Sequence, residues 1–545
     1  MRPLLALLFP IILFGNITLD ELKNSPSGHV RNFFIWQYMQ TDISPAEANE
    51  AYCLVDGKDR KIYSLYVKKG DDEAVKEEYR CSNLSDFELL RERNASCVNR
   101  GLSFTRAVKL TSKQREDVAR VLRGEYESKS KLILLMNNKN FVLSALQSGA
   151  KNYLKLFNTM GYINRHKYFN VNLPKNRINE LAKEEGFNTA VKYIVTDSKM
   201  HRMQKSLLKL DAPELTAKSY FFLALNALKL KATRKADSYL DLSYKKAYYQ
   251  MDKDKALFWK YLIFKEEAVL KNLSESSDIN IYTLYANEKL GKQVDNYFTE
   301  PNLEEKSSVV NLQDPYQWEK ILNDIRSADD DSLEDMQELY CSKEDEVLHS
   351  FIYSRAKKYQ THNYIMPYSK ATQELSNDEK AMLYALARQE SHFIPSAISR
   401  SYALGVMQLM PFLVKALAKQ KNETPSLTDM FDPQKNIEYA IKHISYLQKH
   451  IYHPLFIAYA YNGGIGFTKR HLLSGRFSKG SYEPYMSMEL MSNTESREYG
   501  KKVLANYVIY KKILGEEIKI TSLFETLTEP HHTDRFRMKG LALKR

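Results

Sequence analysis

The sequence predicts a mainly α-helical protein of more than one domain: an N-terminal α-superhelical region of helical hairpins, then a C-terminal helical domain. Three observations predict it. The 545 residues exceed what one ordinary hydrophobic core organises. Only 19 Gly and 16 Pro occur, too few turn-formers for a many-stranded β fold of this length. Through residues 130–300, apolar side chains recur at helical spacing. Hydrophobic residues at 43% and aromatics at 12% exclude a disordered chain, because such a composition can bury packed cores.

In chain order, Met1-Arg2 and the apolar run 4–14 read as a secretory signal peptide over 1–15. An uncleaved anchor or a buried first helix would carry the same residues. The run is too short for a normal membrane-spanning helix, and no later stretch is apolar enough to be one. Ser44 and Pro45 form a helix start, with Ser44 as N-cap. Residues 118–122 and 132–136 are helix cores. Residues 141–146, 153–157 and 220–230 place apolar groups at helical spacing, as do Ala236, Tyr239, Leu240 and Ala247, then Ala256, Trp259 and Leu262. Small Ala among large Tyr, Phe and Leu suits closely stacked helix pairs, as in a solenoid, although no fixed-period repeat is found.

Residues 300–345 form a boundary region with Pro301, Pro315 and the acidic run Asp329-Asp330-Asp331, read as a solvated loop or helix start. Pro367 makes 363–368 an extended segment. Ser376, Asn377, Asp378 and Glu379 then start a helix over 377–390. Further helices are expected at 415–421, 436–451, 455–461 and 495–513, with a basic, poorly ordered tail over 530–545.

The formal net charge is +13, which suits a polyanionic partner: nucleic acid, anionic lipid or an acidic wall polymer. A solvated basic surface accounts for it equally well. The four cysteines are Cys53, Cys81, Cys97 and Cys341. Export permits disulfides, and the short separation favours Cys81 with Cys97 among three complete pairings. None has zinc-site spacing, so neither a metal nor a cofactor is expected. No cysteine falls in the C-terminal third, which leaves no thiol nucleophile there.

Chemistry concentrates at Glu390. The apolar run 382–387 delivers this one carboxylate into a Ser-, Pro- and Gly-containing stretch. Glycosidic-bond cleavage needs an acid that stays protonated near neutral pH, and burial against apolar groups raises a carboxyl pKa to that end. A Glu at a helix end exposed to water would look the same in sequence. Most glycosidases pair two carboxylates, yet between Asp378 and Asp429 the only acids are Glu379, Glu390 and Glu423. That favours a one-carboxylate mechanism. Gly405 permits close backbone approach. Gln408 can donate and accept hydrogen bonds to an amide-bearing sugar. Met407 and Met410 can form an apolar floor, and Tyr459-Ala460-Tyr461-Asn462 sets aromatics and an amide beside glycines.

Taken together and in order, these blocks resemble the soluble lytic murein transglycosylases, bacterial enzymes that cut peptidoglycan. They are Glu390-Ser391, Gly405-Val406-Met407-Gln408-Leu409-Met410-Pro411, Ala460-Tyr461-Asn462-Gly463-Gly464 and Glu495-Ser496-Arg497-Glu498-Tyr499. Asp432-Pro433 and Asn436-Ile437 also resemble the family segment ahead of the third block. The resemblance covers about 364–513. It implies a lysozyme-like catalytic domain over 346–520, an α-superhelical scaffold over 16–345 with its linker at 300–345, and a basic tail at 521–545. It implies Glu390 as the single general acid and then base, with Ser399, Gln408, Met410, Tyr461, Asn462, Glu495 and Tyr499 in the substrate groove and Arg497 in support. The product would be a 1,6-anhydromuramyl end, formed without water. The partners implied are peptidoglycan strands and other cell-wall enzymes in the periplasm, with no nucleic acid. Departures from the family pattern are Leu404 before Gly405, Gly463-Gly464, and the absence of Pro in Glu489-Leu490-Met491-Ser492. A goose-lysozyme-like muramidase and a non-catalytic glycan-binding scaffold remain the alternatives.

Overall fold

The computed structural model describes residues 17–211 and 213–542. The proposed signal peptide over 1–15 and the end of the basic tail, 543–545, lie outside them. Among the described residues there are 34 α-helices against two strands of two residues each, so the mainly α reading holds.

From Leu19–Asn24 to Ile281–Leu290 the chain is a succession of short helices, each packed on its neighbours in sequence. Local sequence sets their ends. Ser44 accepts from Glu47 N and Glu47 reaches back to Ser44 N, a reciprocal cap in front of Pro45. Thr216 caps Ala217–Lys229. This helix turns through Lys231, at φ 60°, into Thr233–Lys246. Small Ala224, Ala227 and Ala236 are fully buried beside Tyr220, Phe221 and Tyr239. The Ala positions let the backbones approach, and the aromatics fill the space between layers, each buried large side chain contributing about 1.5–3 kcal/mol. Trp259 of Gln250–Phe264 closes this layer edge-on to Phe221, ring centroids 6.2 Å apart. Cys81 and Cys97 form the expected disulfide. Cys53 and Cys341 are free thiols.

The boundary region is more ordered than a linker. It folds into Pro315–Ser327 and Asp330–Leu339, and Asp329 caps the second by accepting from Ser332 N at 2.9 Å. The acidic run is thus a helix start, where negative charge meets the positive end of the helix. Residues 362–363 then run extended beside 297–298 as a two-residue parallel pair.

The C-terminal domain packs around three helices: Asn377–Ser391, Pro454–Gly463 and Thr494–Ile513. Gly500 makes this possible. A Cβ there would sit 2.2 Å from a ring carbon of Tyr459, so the helices meet only because position 500 has no side chain. The tail departs from expectation. Residues 520–542 form three short helices. The Asp534 carboxylate, fully buried, accepts from Arg537 Nε at 2.7 Å, and Arg537 also donates to the carbonyls of Phe477 and Leu527. Read as net charge, this segment looks solvated. It is ordered because one arginine satisfies buried acceptors from two other segments.

The scaffold touches the C-terminal domain at both ends. His29 Nε2 donates to the Ser399 carbonyl at 2.7 Å, Tyr402 donates to the Asp59 carboxylate, and the Lys61 ammonium lies 4.3 Å from the centre of the Tyr402 ring. At the other end a buried ionic group joins them. Lys501, with no exposed side-chain surface, contacts Glu489 at 3.0 Å and Glu498 at 2.9 Å, and the Tyr282 hydroxyl donates to Glu489 at 2.5 Å. Lys255 and Asp252 of the scaffold form a further pair at 2.6 Å. Buried charges are tolerated here because each is paired.

Candidate active site

Helix Asn377–Ser391 presents Glu390 in its last turn. Ser376 and Glu379 cap its start reciprocally. Its end is set by His392 and Phe393, both in the left-handed region at φ 51° and 68°. Residues 381–387 are all buried. The helix is fixed laterally by Arg388, which donates to Asn506 Oδ1 and to the Asn363 carbonyl, both at 2.7 Å, and lies 4.1 Å from the Tyr364 ring centre.

The Glu390 carboxyl faces a cleft of about 750 Å³. Tyr499, buried behind it, donates its hydroxyl to Glu390 Oε1 at 2.7 Å. Burial pushes the Glu390 pKa up to about 7; the Tyr499 hydrogen bond opposes the rise and the nearby Glu495 charge adds to it. Among the described residues, only Tyr499 bonds this carboxyl, which leaves Oε2 facing the cleft.

The opposite wall is the turn 397–410. Gly405, at φ +73°, is required: a Cβ would lie 2.2 Å from the Met430 carbonyl oxygen. Asn436, fully buried, ties the turn together. Its Nδ2 donates to the Leu404 and Met430 carbonyls at 3.0 Å, and its Oδ1 accepts from Met407 N at 2.8 Å. The amide of Gln408 donates to the Ala397 and Gly405 carbonyls. Both amide protons are spent on the turn, so Gln408 offers a ligand only its carbonyl oxygen. That narrows the expectation that it both donates and accepts. Leu404, one of the departures from the family pattern, is fully buried in this turn and exchanges backbone hydrogen bonds with Leu409 at 3.0 Å.

Ser399, Gln408, Met410, Tyr461, Asn462 and Glu495 all line the cleft with Glu390, and Tyr499 stands directly behind it. Tyr461 donates to the Met407 carbonyl at 2.7 Å. Asn462 donates to Glu495 Oε1 at 3.1 Å and accepts from Ser496 at 2.7 Å. Ser399 Oγ accepts from Ala403 N at 2.9 Å, which leaves its proton for a ligand. Arg497 belongs elsewhere. It is buried, donates to the Met491 carbonyl at 3.0 Å and lies 5.2 Å from the Phe222 ring centre of the scaffold. Its support is given at the interdomain contact, not in the cleft.

Sequence reasoning missed two residues, His443 and Phe412, and the role of a third, Asn436. Asn436 holds the turn; its signal was its place in the Asp432-Pro433 stretch, whose function no spacing revealed. His443 lines the cleft, 5.5 Å ring to ring from Tyr461, and burial lowers its pKa, which keeps it neutral at neutral pH. Phe412 lines the cleft at 70% exposure, an apolar face open to a ligand.

Comparison with known proteins agrees with this geometry. Residues 367–482 match the family described as transglycosylase SLT domain. The chain is 30% identical over 171 residues to the membrane-bound lytic murein transglycosylase C of Edwardsiella ictaluri, covering 28% of this chain and 47% of that protein. It is 30% identical over 146 residues to the soluble lytic murein transglycosylase of Escherichia coli, covering 26% of this chain and 22% of that one. The matched segments thus span less than half of either relative. In three dimensions the chain superposes on the 70 kDa soluble lytic transglycosylase of Escherichia coli with a TM-score of 0.52 at 15% identity, covering 93% of this chain and 89% of that one. This likeness shows the shared fold, a superhelical α scaffold with a lysozyme-like domain. By sequence and by fold, then, the chain resembles the soluble lytic murein transglycosylases, and the segment that carries Glu390 matches their transglycosylase SLT domain.

Proposed function

We propose that the protein is a peptidoglycan lytic transglycosylase of the periplasm or cell envelope. The observation that carries this reading is the Glu390 carboxyl: held by one phenol at Oε1, its pKa raised to about 7, and turned into a cleft lined by amides, hydroxyls and aromatics. A hydrogen-bond donor on Oε1 leaves the acidic proton on Oε2, the oxygen that faces the cleft.

Glu390 delivers that proton to the oxygen between N-acetylmuramic acid and N-acetylglucosamine as the bond to the sugar carbon lengthens. The muramyl N-acetyl group stabilises the developing positive charge from within the substrate. Glu390, now a carboxylate, takes the proton of the C6 hydroxyl. The C6 oxygen then closes on the anomeric carbon and gives a 1,6-anhydro ring. No water is consumed. In this reading Ser399 and the Gln408 carbonyl hold the sugar amides, and Phe412 and Tyr461 supply ring faces. The net charge of +13 favours encounter with an acidic wall polymer. Two of the relatives' names, one membrane-bound and one soluble, support an envelope location. Among the described residues no helix is long and apolar enough to cross a membrane.

A hydrolytic muramidase is the second reading, favoured by Glu495, a second carboxylate at the cleft. Its Oε1 accepts from Asn462. The first test is digestion of purified sacculi by Glu390→Gln. We expect release of soluble fragments to be abolished, and digestion at the wild-type rate would remove Glu390 from the mechanism.

A further inference from the structure

A larger cavity, of about 1110 Å³, lies between the scaffold and the C-terminal domain. Seven cationic side chains and two carboxylates line it. Arg165, Lys192 and Lys229 come from three scaffold helices, and Arg470, Arg476 and Lys479 from helix Ile465–Leu472 and the loop after it. Among the described residues none of these six is within ion-pair distance of a carboxylate. Arg476 Nη2 donates to the Thr196 carbonyl at 2.9 Å, and the Arg165 guanidinium stacks 3.7 Å from the Tyr193 ring centre. Their positive charges are therefore unpaired by direct contact, and Asp197 and Glu483 offset those of Arg165 and Arg476 only in part. Burial holds Lys192, Arg165 and Arg476 below their usual pKa range, and for Lys192 the neighbouring arginines lower it further.

Lys229, Arg470 and Lys479 reach solvent at the cavity mouth, while Arg165 is buried and Lys192 and Arg476 are partly buried. The like charges of these inner three repel one another most, because water is scarcer there. The buried ionic group at Lys501, a short way along the same interface, is charge-balanced by contrast. Two further atoms lack a hydrogen-bond partner. Asp197, at 6% exposure, lines the cavity; its Oδ2 makes no hydrogen bond at ordinary length but lies 3.8 Å from His166 Nδ1, and His471 Nε2 is buried with no hydrogen-bond partner. Buried polar atoms are almost always satisfied, so His471 Nε2 calls for a hydrogen bond from outside the protein, while Asp197 has only a long contact to His166 and retains capacity to accept another.

The cavity also adjoins the cleft. Ile465 and Glu495 line the cleft, while Phe467 and Asn493, two positions away in each case, line the cavity.

We propose that this cavity is a binding site for a small acidic ligand, one that carries two or more carboxylate or phosphate groups and a hydrogen-bond donor. The anionic groups pair with Arg165, Lys192, Lys229 and Arg476 from both sides, and the donor meets Asp197. The ligand would brace the scaffold against the C-terminal domain next to the cleft. It is either an acidic branch of the strand in the cleft or a free anion; the chemistry is the same. This site does not depend on the reaction assigned to Glu390.

The test uses the full chain and citrate, which has three carboxylates and a hydroxyl donor, with acetate as the monovalent control. Calorimetry should show citrate binding that acetate does not match and that weakens with salt. Lys229→Glu should weaken it about tenfold or more. Among the described residues Lys229 makes no side-chain hydrogen bond or ion pair, so this change removes no structural contact. Lys192→Gln should weaken it less. Glu390→Gln should leave it unchanged, which separates failure here from failure of the catalytic reading. Equal binding of citrate and acetate, or wild-type citrate affinity in Lys229→Glu, would overturn the site. Strand binding to the Glu390→Gln protein identifies the source. If adding Lys229→Glu weakens only strands that keep their acidic branches, the ligand is the strand's own. If it weakens citrate but neither kind of strand, the ligand is a free anion.

Discussion

The scaffold and the C-terminal domain are both helical, yet they hold themselves together differently. In the scaffold, stability comes from many similar layers of buried Ala, Leu and aromatic side chains, such as Ala224, Ala236, Tyr239 and Trp259, and most of its ion pairs are exposed. The cleft domain depends on a few buried polar residues that each bond several partners: Arg388, Asn436, Lys501 and Arg537. It also needs residues forced into left-handed backbone, His392, Phe393, Tyr402, Gly405 and Gln408. Repetition tolerates substitution, because each layer contributes a small, similar share. A cleft that must place one carboxyl cannot spread its requirements in that way.

That contrast can be broken or sharpened by mutation. The largest effect falls at Glu390. Glu390→Gln should lower strand cleavage by about 10²–10⁴-fold or more and leave the fold more stable at alkaline pH. The folded carboxyl holds its proton to about pH 7, whereas an unfolded one releases it near 4.5. The folded state therefore loses stability as pH rises between these values, and the loss is complete above 7. The variant should gain roughly 1–3 kcal/mol at pH 8 and nothing below about pH 4, read by denaturant unfolding at both. Next comes Lys501→Ala, which strands Glu489 and Glu498 without their cation. It should cost about 3–5 kcal/mol, visible as a lower melting temperature, with citrate binding as a check that the interface has loosened.

Gly405→Ala should follow. It must accommodate both a positive φ and the Met430 carbonyl, at about 1–3 kcal/mol, and it should raise KM by displacing Gln408. Tyr499→Phe is smaller and has a direction: without the hydroxyl, the Glu390 pKa rises further, so the alkaline limb of the kcat/KM profile should move up from about pH 7. A limb that stays in place or moves down would contradict Tyr499 as the residue that holds the acid. The smallest effect belongs to the scaffold surface. Ile163→Ser, at 69% exposure, should change stability by less than about 0.5 kcal/mol. A loss of several kcal/mol there would show that the scaffold is not the tolerant half.

The same contrast decides what the sequence could tell. Helix positions were legible in both halves because apolar spacing and caps are local: the Ser44 and Ser376 capping boxes and the start of Thr494–Ile513 read directly. Apart from Ser399, the proposed cleft residues were legible because they cluster in four short blocks, and every proposed groove residue lies at or directly behind the cleft. What was not legible depends on partners far apart in sequence. Asn436 was legible as part of a family-like segment at a helix start, but not as the residue that ties the turn to Met430. Arg497 sat inside a motif yet serves Phe222, which lies in the scaffold. The tail read as solvated because nothing local indicates that Arg537 reaches the Phe477 carbonyl. The basic cavity was hidden for the same reason, since its cations come from residues 165 to 479. Charge counts sum them without showing that they converge.

The most direct test of the central claim is mass analysis of the products released from purified sacculi in water enriched in heavy oxygen. If Glu390 acts as acid and then as base on the sugar's own C6 hydroxyl, the muramyl ends are 1,6-anhydro and carry no label. Reducing muramic acid ends bearing the heavy oxygen would contradict that account and make the protein a hydrolase, with Glu495 as the residue to examine for activating water.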